Sequence, residues 1–445
     1  MTPETSSMEN VAQALKQVAE HGERFMDNDS SARERLVASA RALILAVETP
    51  MDSLLWHVWA LPTRTAAARI AVDLKIFETA VEDGGHPKSS EDLAAVTGAS
   101  PTLVKRISRA LVSMGMLAEQ GPGLYTPNSF TKLLANKEYA AGIIFNFDIN
   151  MESLAKLPEY LKKTNFQNPE NALDGPFQYA NDNKPAFSWL VERPETFEAF
   201  HLYIHSLRQH RPSWTDMYPA QARLVSGLKP DGDASAFVDV GGSMGQILQD
   251  FRANVPQYTG RLVLQELPEV VAAATEKGVG ADGRIELQVH DFFTPQPVRG
   301  ARAYFMRTVL HDWPDAQCRK ILTQLKDAME PGYSRILISD CVISDEKAAW
   351  QHVSMDIFMM AQVSSRERTE HEWRALIESC GLKVTGIYSK GDGNEGLIEV
   401  YPARVRLEHK HRPIGAGAAL SVLQYIFYVD KTNDSSEIPY ILICA

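Results

Sequence analysis

The chain has 445 residues, of which 44% are hydrophobic and 23% charged, with a formal net charge of −11. That length calls for at least two domains, and the composition is that of a folded globular protein. The acidic balance weighs against a general nucleic-acid binder or a coat on anionic membranes, so a small molecule is the expected partner.

Residues 1–30 are polar and read as a flexible N-terminus, with helical spacing only over 8–20 (Val11, Leu15, Val18). The basic-then-apolar pattern of a secretory leader is missing there, and no run approaches the roughly 18 apolar residues of a membrane span, so a cytoplasmic location is expected. Residues 31–135 form a helical and winged-helix unit. Apolar residues recur at helical spacing over 32–47, 53–61 and 63–80, with Pro50 and Pro62 as breaks. Then Ser90 caps a helix that Gly98 stops, Ser100 and Pro101 open another, and 116–125 reads as a short hairpin. Lys105, Arg106 and Arg109 on the second helix allow DNA binding, but the acidic chain favours a packing module with a solvated basic face. Residues 136–230 form a mostly helical linker rich in aromatic residues such as Phe200, Tyr203 and Trp214. Within it the Asn-rich stretch 164–184 reads as a surface excursion.

From residue 231 to 400 strands and helices alternate. Strands are expected at 237–240, 261–265, 285–290, 303–309, 335–340, 382–388 and 397–400, and helices at 245–254, 268–277, 315–329 and 369–379. This predicts an α/β domain with a mostly parallel sheet, the last two strands an antiparallel pair, and a ligand at the carboxyl ends of the strands. The first strand carries Asp239 and runs into Gly241, Gly242, Ser243, Met244 and Gly245, a turn through which a ligand can approach the main chain. The spacing lacks the last glycine of the nicotinamide fingerprint G-x-G-x-x-G. An ordinary strand, turn and helix remains an alternative on this stretch alone. Polar groups then stand at successive strand ends: Glu266, where a carboxylate can accept two ribose hydroxyls; Asp291 beside Phe292; Arg307 and His311; and Asp340. Four cysteines (Cys318, Cys341, Cys380, Cys444) form no C-x-x-C pair, which argues against a zinc knuckle or a disulfide framework.

The glycine loop matches D-x-G-x-G-x-G except that Ser243 replaces the middle glycine. Together with QELPEVV at 265–271, VHDFF at 289–293, FMRTVLHDWPD at 305–315 and RERTEHEW at 366–373, it resembles the plant and fungal caffeate-type small-molecule O-methyltransferases. The resemblance spans about 63–400. It implies a Rossmann-like catalytic domain, a winged-helix dimerisation domain, a homodimer, and S-adenosylmethionine as methyl donor, with S-adenosylhomocysteine as product. By this resemblance Asp239, Gly241, Gly242, Gly245, Glu266, Asp291, Phe292 and Arg307 bind the cofactor, Arg307 standing where the family often has lysine. His311 matches the general base, and Asp340 and Glu367 the two flanking acids. Asp340 is shorter than the usual glutamate, so a weaker or water-mediated contact is expected. Phe200, Tyr203, Met355, Phe358, Met359 and Gln362 are expected to line the acceptor pocket, because aromatic and methionine side chains suit a planar phenol.

The chemistry is coherent without the analogy. A methyl on a sulfonium is already activated, so the protein must align it with the acceptor oxygen and remove a proton. A neutral imidazole can take that proton as the bond forms, and a carboxylate behind the other ring nitrogen fixes its tautomer. No metal is expected. The competing reading is a ligand-sensing winged-helix regulator with a degenerate methyltransferase domain, which the intact His311, Glu367 and Glu266 set disfavours. Residues 401–445, with a basic patch and an apolar segment too short to span a bilayer, read as an appendage.

Overall fold

The computed structural model describes residues 5–403 except 30, 185, 210, 231, 392 and 393. The expected appendage, apart from its first residues, lies outside them. The chain divides into two compact units, Met1–Phe147 and Asp148–Ala445. The division lies beyond the expected boundary at 135, since the helix Lys137–Phe145 goes with the first unit.

In the first unit the expectation of a flexible N-terminus is corrected. A helix runs over Thr5–Met26 and packs against Ala32–Val47. Ala14 is buried, and His21 Nδ1 lies 2.7 Å from Ser39 Oγ across the pair. Pro50 opens a helix as expected, behind a Thr49 and Asp52 capping box. Pro62 does not break the chain. A π-turn at Trp56–Ala60 leads directly into Leu61–Asp73, whose first turn accepts proline because no N–H is required there. The single helix expected over 63–80 is instead split at Lys75, which takes φ 52° before Ile76–Val81. Ser89, not Ser90, caps the next helix, accepting from the Asp92 N–H while Asp92 accepts from the Ser89 N–H. The wing has three strands, with Leu124–Thr126 between Lys88–Ser89 and Ala118–Glu119. Phe77, Leu93, Val104, Leu111 and Tyr125 form its core, and Lys105, Arg106 and Arg109 lie exposed.

The second unit is built on seven strands: β1 Phe237–Val240, β2 Leu262–Glu266, β3 Ile285–Val289, β4 Ala303–Arg307, β5 Arg335–Asp340, β6 Leu382–Tyr388 and β7 Gly396–Pro402. Their order across the sheet is β3-β2-β1-β4-β5-β7-β6. β1 to β5 are parallel, and β7 runs antiparallel to both β5 and β6. β1 and β5 are buried throughout, as expected of strands covered on both faces. Val238, Tyr304 and Ile336 pack with the helices Asp315–Ala328 and Glu370–Ser379 in one core. In the other, Trp214 stacks near Phe237, Phe251 and Phe305, which fixes the end of the helical segment onto the sheet. The strand order reverses between β1 and β4, which places the ligand crevice at the carboxyl ends of those two strands.

Candidate active site

The turn after β1 reaches left-handed backbone three times, at Gly241 (φ 72°), Ser243 (φ 54°) and Gly245 (φ 70°). Gly242 is required for another reason, since a Cβ there would stand 2.3 Å from Asp239 Oδ2 and 2.5 Å from Leu264 Cδ1. Ser243, the departure from the glycine pattern, donates its N–H to Glu266 Oε1 at 3.0 Å, and Glu266 Oε2 accepts the Leu267 N–H at 2.9 Å. Burial raises the Glu266 carboxyl, against those two main-chain bonds. Asp239 is 1% exposed and burial pushes it up to about 7, with Oδ2 lacking a hydrogen-bond partner among the described residues. Gly241, Glu266, Asp291 and Phe292 line one cleft with Gln265, Leu267 and His290. The expected nucleoside contacts therefore converge. A main-chain turn at Gly241 with the acidic side chains of Glu266 and Asp291 in one cleft fits a ligand with an amine and a diol.

β4 ends at Arg307, and the turn Leu310–Asp312 follows Thr308, whose φ of 50° is unusual for a β-branched residue. That turn sets His311 6% exposed. Its Nδ1 lies 2.9 Å from Glu367 Oε1 and 3.8 Å from Asp340 Oδ1, while Nε2 is 3.5 Å from Asp312 Oδ1. The shorter Asp340 leaves the gap expected of it. Neither of its oxygens has a hydrogen-bond partner among the described residues, and burial pushes the group up to about 8. Glu367 is held by its own N–H donating to Asp356 Oδ1 at 2.9 Å, just before Arg368–Thr369 pairs in parallel with Val342–Ile343. Burial alone would lower the imidazole pKa, but Asp312, Glu367 and Asp340 together hold it well above the ordinary value. Asp312, pushed up to about 7 by burial, was not singled out from sequence, although it lay inside the quoted motif. His311, Asp340 and Glu367 each offer one donor atom within 4.8 Å of the others, a spacing that a divalent cation also accepts.

Arg307 turns its guanidinium to Glu395, with Nε at 2.8 Å and Nη2 at 3.3 Å. Arg211 and Ser339 also donate to Glu395, and these residues line a second cleft with Trp214 and Met217. Glu395 gave no sequence signal, being a lone acid between glycines. Met355, Phe358, Met359 and Gln362 lie on the helix Trp350–Val363, and Gln362 is buried with Nε2 donating to the Ile149 carbonyl at 3.4 Å. This helix packs against Met151–Lys163 and Pro176–Ala180. The expected surface excursion is therefore corrected: Phe177 inside it is 2% exposed and meets Trp189 edge to face. Phe200 and Tyr203 lie on a different helix, Pro194–Gln209, whose Arg208 reaches Gln246 after the glycine turn.

A crevice of this construction on a β3-β2-β1-β4-β5-β7-β6 sheet defines a methyltransferase. The comparisons agree. Residues 232–383 match the model of the O-methyltransferase domain, and 63–137 that of the O-methyltransferase dimerisation domain. The O-methyltransferase mpaG of Penicillium roqueforti is 34% identical over 89% of this chain and 98% of its own. The demethylsterigmatocystin 6-O-methyltransferase of Aspergillus flavus is 36% identical over 77% and 86%. Among solved structures, LepI in complex with SAM superposes with a TM-score of 0.77, and one described as a pericyclic reaction enzyme with 0.76. Each is 30% identical and covers 89% of this chain and all of its own. The chain belongs to the O-methyltransferase family, and it is an S-adenosylmethionine-dependent O-methyltransferase of secondary metabolism.

Proposed function

We propose that the acceptor is a phenolic hydroxyl of an aromatic secondary metabolite, with His311 as general base and no metal in the reaction. One observation carries this reading: His311 Nδ1 is engaged by Glu367 at 2.9 Å, while Nε2 has no hydrogen-bond partner among the described residues. Glu367 fixes the tautomer that leaves Nε2 unprotonated, Nε2 accepts the phenol proton, and Glu367 and Asp340 stabilise the imidazolium formed. The donor supplies a methyl already activated on sulfur. Gly241, Asp239, Glu266, Asp291 and Phe292 bind and orient it, and Met355, Phe358, Met359 and Gln362, with Phe200 and Tyr203, orient the ring. Dimerisation of two copies through the first unit and a cytoplasmic location belong to the same reading.

A second reading draws on the pericyclic reaction enzyme among the structural relatives: the same crevice would rearrange an acceptor in addition to methylating it. Incubation with methyl-labelled S-adenosylmethionine and a panel of phenolic polyketides separates the two. Our reading predicts labelled product and S-adenosylhomocysteine in equal amounts, unchanged by a chelator. A rearranged acceptor beside the methylated one supports the alternative, and activity lost to the chelator and restored by a divalent metal contradicts the metal-free mechanism.

A further inference from the structure

Arg368 follows Glu367 directly and is 0% exposed. All five of its N–H donors find acceptors. Nε and Nη2 donate to Asp315 Oδ1 at 3.1 and 2.8 Å, and Nη2 also to the Trp313 carbonyl at 3.0 Å. Nη1 donates to the carbonyls of Leu310 at 3.2 Å and Arg366 at 3.3 Å. The guanidinium lies 5.1 Å from the Trp373 ring centroid. Leu310 and Trp313 bracket His311 and Asp312, whereas Arg366 and Arg368 bracket Glu367. One buried cation thus bonds the main chain on both sides of the imidazole and the Arg366 carbonyl just before the carboxylate that its own residue follows, although the two segments are 56 residues apart. Burying a guanidinium is costly, and one ion pair does not require this many main-chain acceptors.

We infer that Arg368 is a positioning residue for methyl transfer: it clamps the Leu310–Asp312 turn to the Arg366–Arg368 segment and so fixes the distance between His311 and Glu367. The inference rests on His311 being the base. Lysine cannot reproduce the clamp, since its three donors radiate from one atom and do not form a planar fork. A shift of about 1 Å at the base is worth up to about 100-fold in rate.

The test compares the phenol identified by the labelled-methyl screen with a nitro-substituted analogue already ionised at the assay pH, which needs no base. Arg368→Lys is expected to bind S-adenosylmethionine within about twofold of the parent and to lose about 10- to 100-fold in kcat on the un-ionised phenol. It is expected to lose little on the ionised one. The double variant with His311→Ala should be no slower than His311→Ala alone, because the clamp acts only through the imidazole. Equal losses on both acceptors, or losses that multiply in the double variant, overturn the inference and make Arg368 a general structural residue. If Arg368→Lys does not fold, Asp315→Asn takes its place, weakening one anchor on a side chain that is 28% exposed. A smaller loss confined to the un-ionised phenol supports the clamp, and an equal loss or none on the two acceptors overturns it. Should His311→Ala itself turn over normally, the base assignment fails, which is distinct from a slow His311→Ala beside an unselective Arg368→Lys.

Discussion

At His311 three carboxylates surround one imidazole, and their sum decides its protonation. Burial acts to lower the pKa, and Asp312, Glu367 and Asp340 outweigh it, so the imidazolium is favoured above the ordinary 6.5. This proton stabilises the fold below the unfolded pKa, and the contribution is lost as pH rises through the higher folded value. A base must be neutral, so kcat/KM should climb with pH through that raised value. Glu367→Gln removes one of the raising charges and should move the acid limb to lower pH while lowering the plateau. A pH–rate profile whose limb stays in place would show that Glu367 does not govern the imidazole. Glu266, Asp291 and His311 could be singled out in the sequence because each follows an expected strand, and Glu367 because the RERTEHEW stretch around it resembles a family motif. Arg368, Arg211 and Glu395 could not, because their roles depend on partners distant in the chain, as with Glu395 and Arg307, 88 positions apart.

At the scale of elements, Glu395, just before β7, joins the end of β4, the end of β5 and the chain after Pro194–Gln209 through Arg307, Ser339 and Arg211. Burial would raise its pKa, but the two guanidiniums prevail and hold it at about 2. The stabilisation is present above the unfolded carboxylate value and lost as pH falls from about 4.5 towards about 2. Glu395→Gln leaves two cations without their counter-charge. It should lower stability at neutral pH by about 3 kcal/mol, the low end for a broken buried pair because Arg211 is a third exposed. Urea melts read this directly, and an unchanged midpoint would mean that the ion pairs do not fasten the segment. The positions of the strands and of most helices followed from periodicity, since a strand buried on both faces and an amphipathic helix differ in pattern, whereas the order of the strands across the sheet did not. The π-turn before Pro62, the break at Lys75 and the buried Phe177 did not, because in each case tertiary packing decided against the local signal.

On the whole-molecule scale, the first unit leaves large apolar side chains in solvent. Leu45 is 73% exposed and Trp59 67%, with Ile44, Val47, Met51 and Leu54 nearby in the chain. These exposed apolar side chains lie in the chain just before residues 63–137, which match the dimerisation domain, and a second copy is expected to cover them. The intact chain should therefore scatter light as a dimer at micromolar concentration. Leu45→Asp with Trp59→Asp should shift it towards monomer, and an unchanged dimer would place the interface elsewhere. The two-domain order was legible in the sequence, but the place of division was not, because the helix Lys137–Phe145 carries no marker of which core it joins.

In the proposed mechanism, cofactor binding and proton removal reside in different residues. Its most direct test measures S-adenosylmethionine affinity and single-turnover methyl transfer for His311→Ala. The account predicts affinity close to the parent, because Asp239, Gly241, Glu266 and Asp291 are untouched, with transfer to a weakly acidic phenol slowed about 100- to 10,000-fold. Transfer at the parent rate, or loss of the cofactor together with activity, would contradict it.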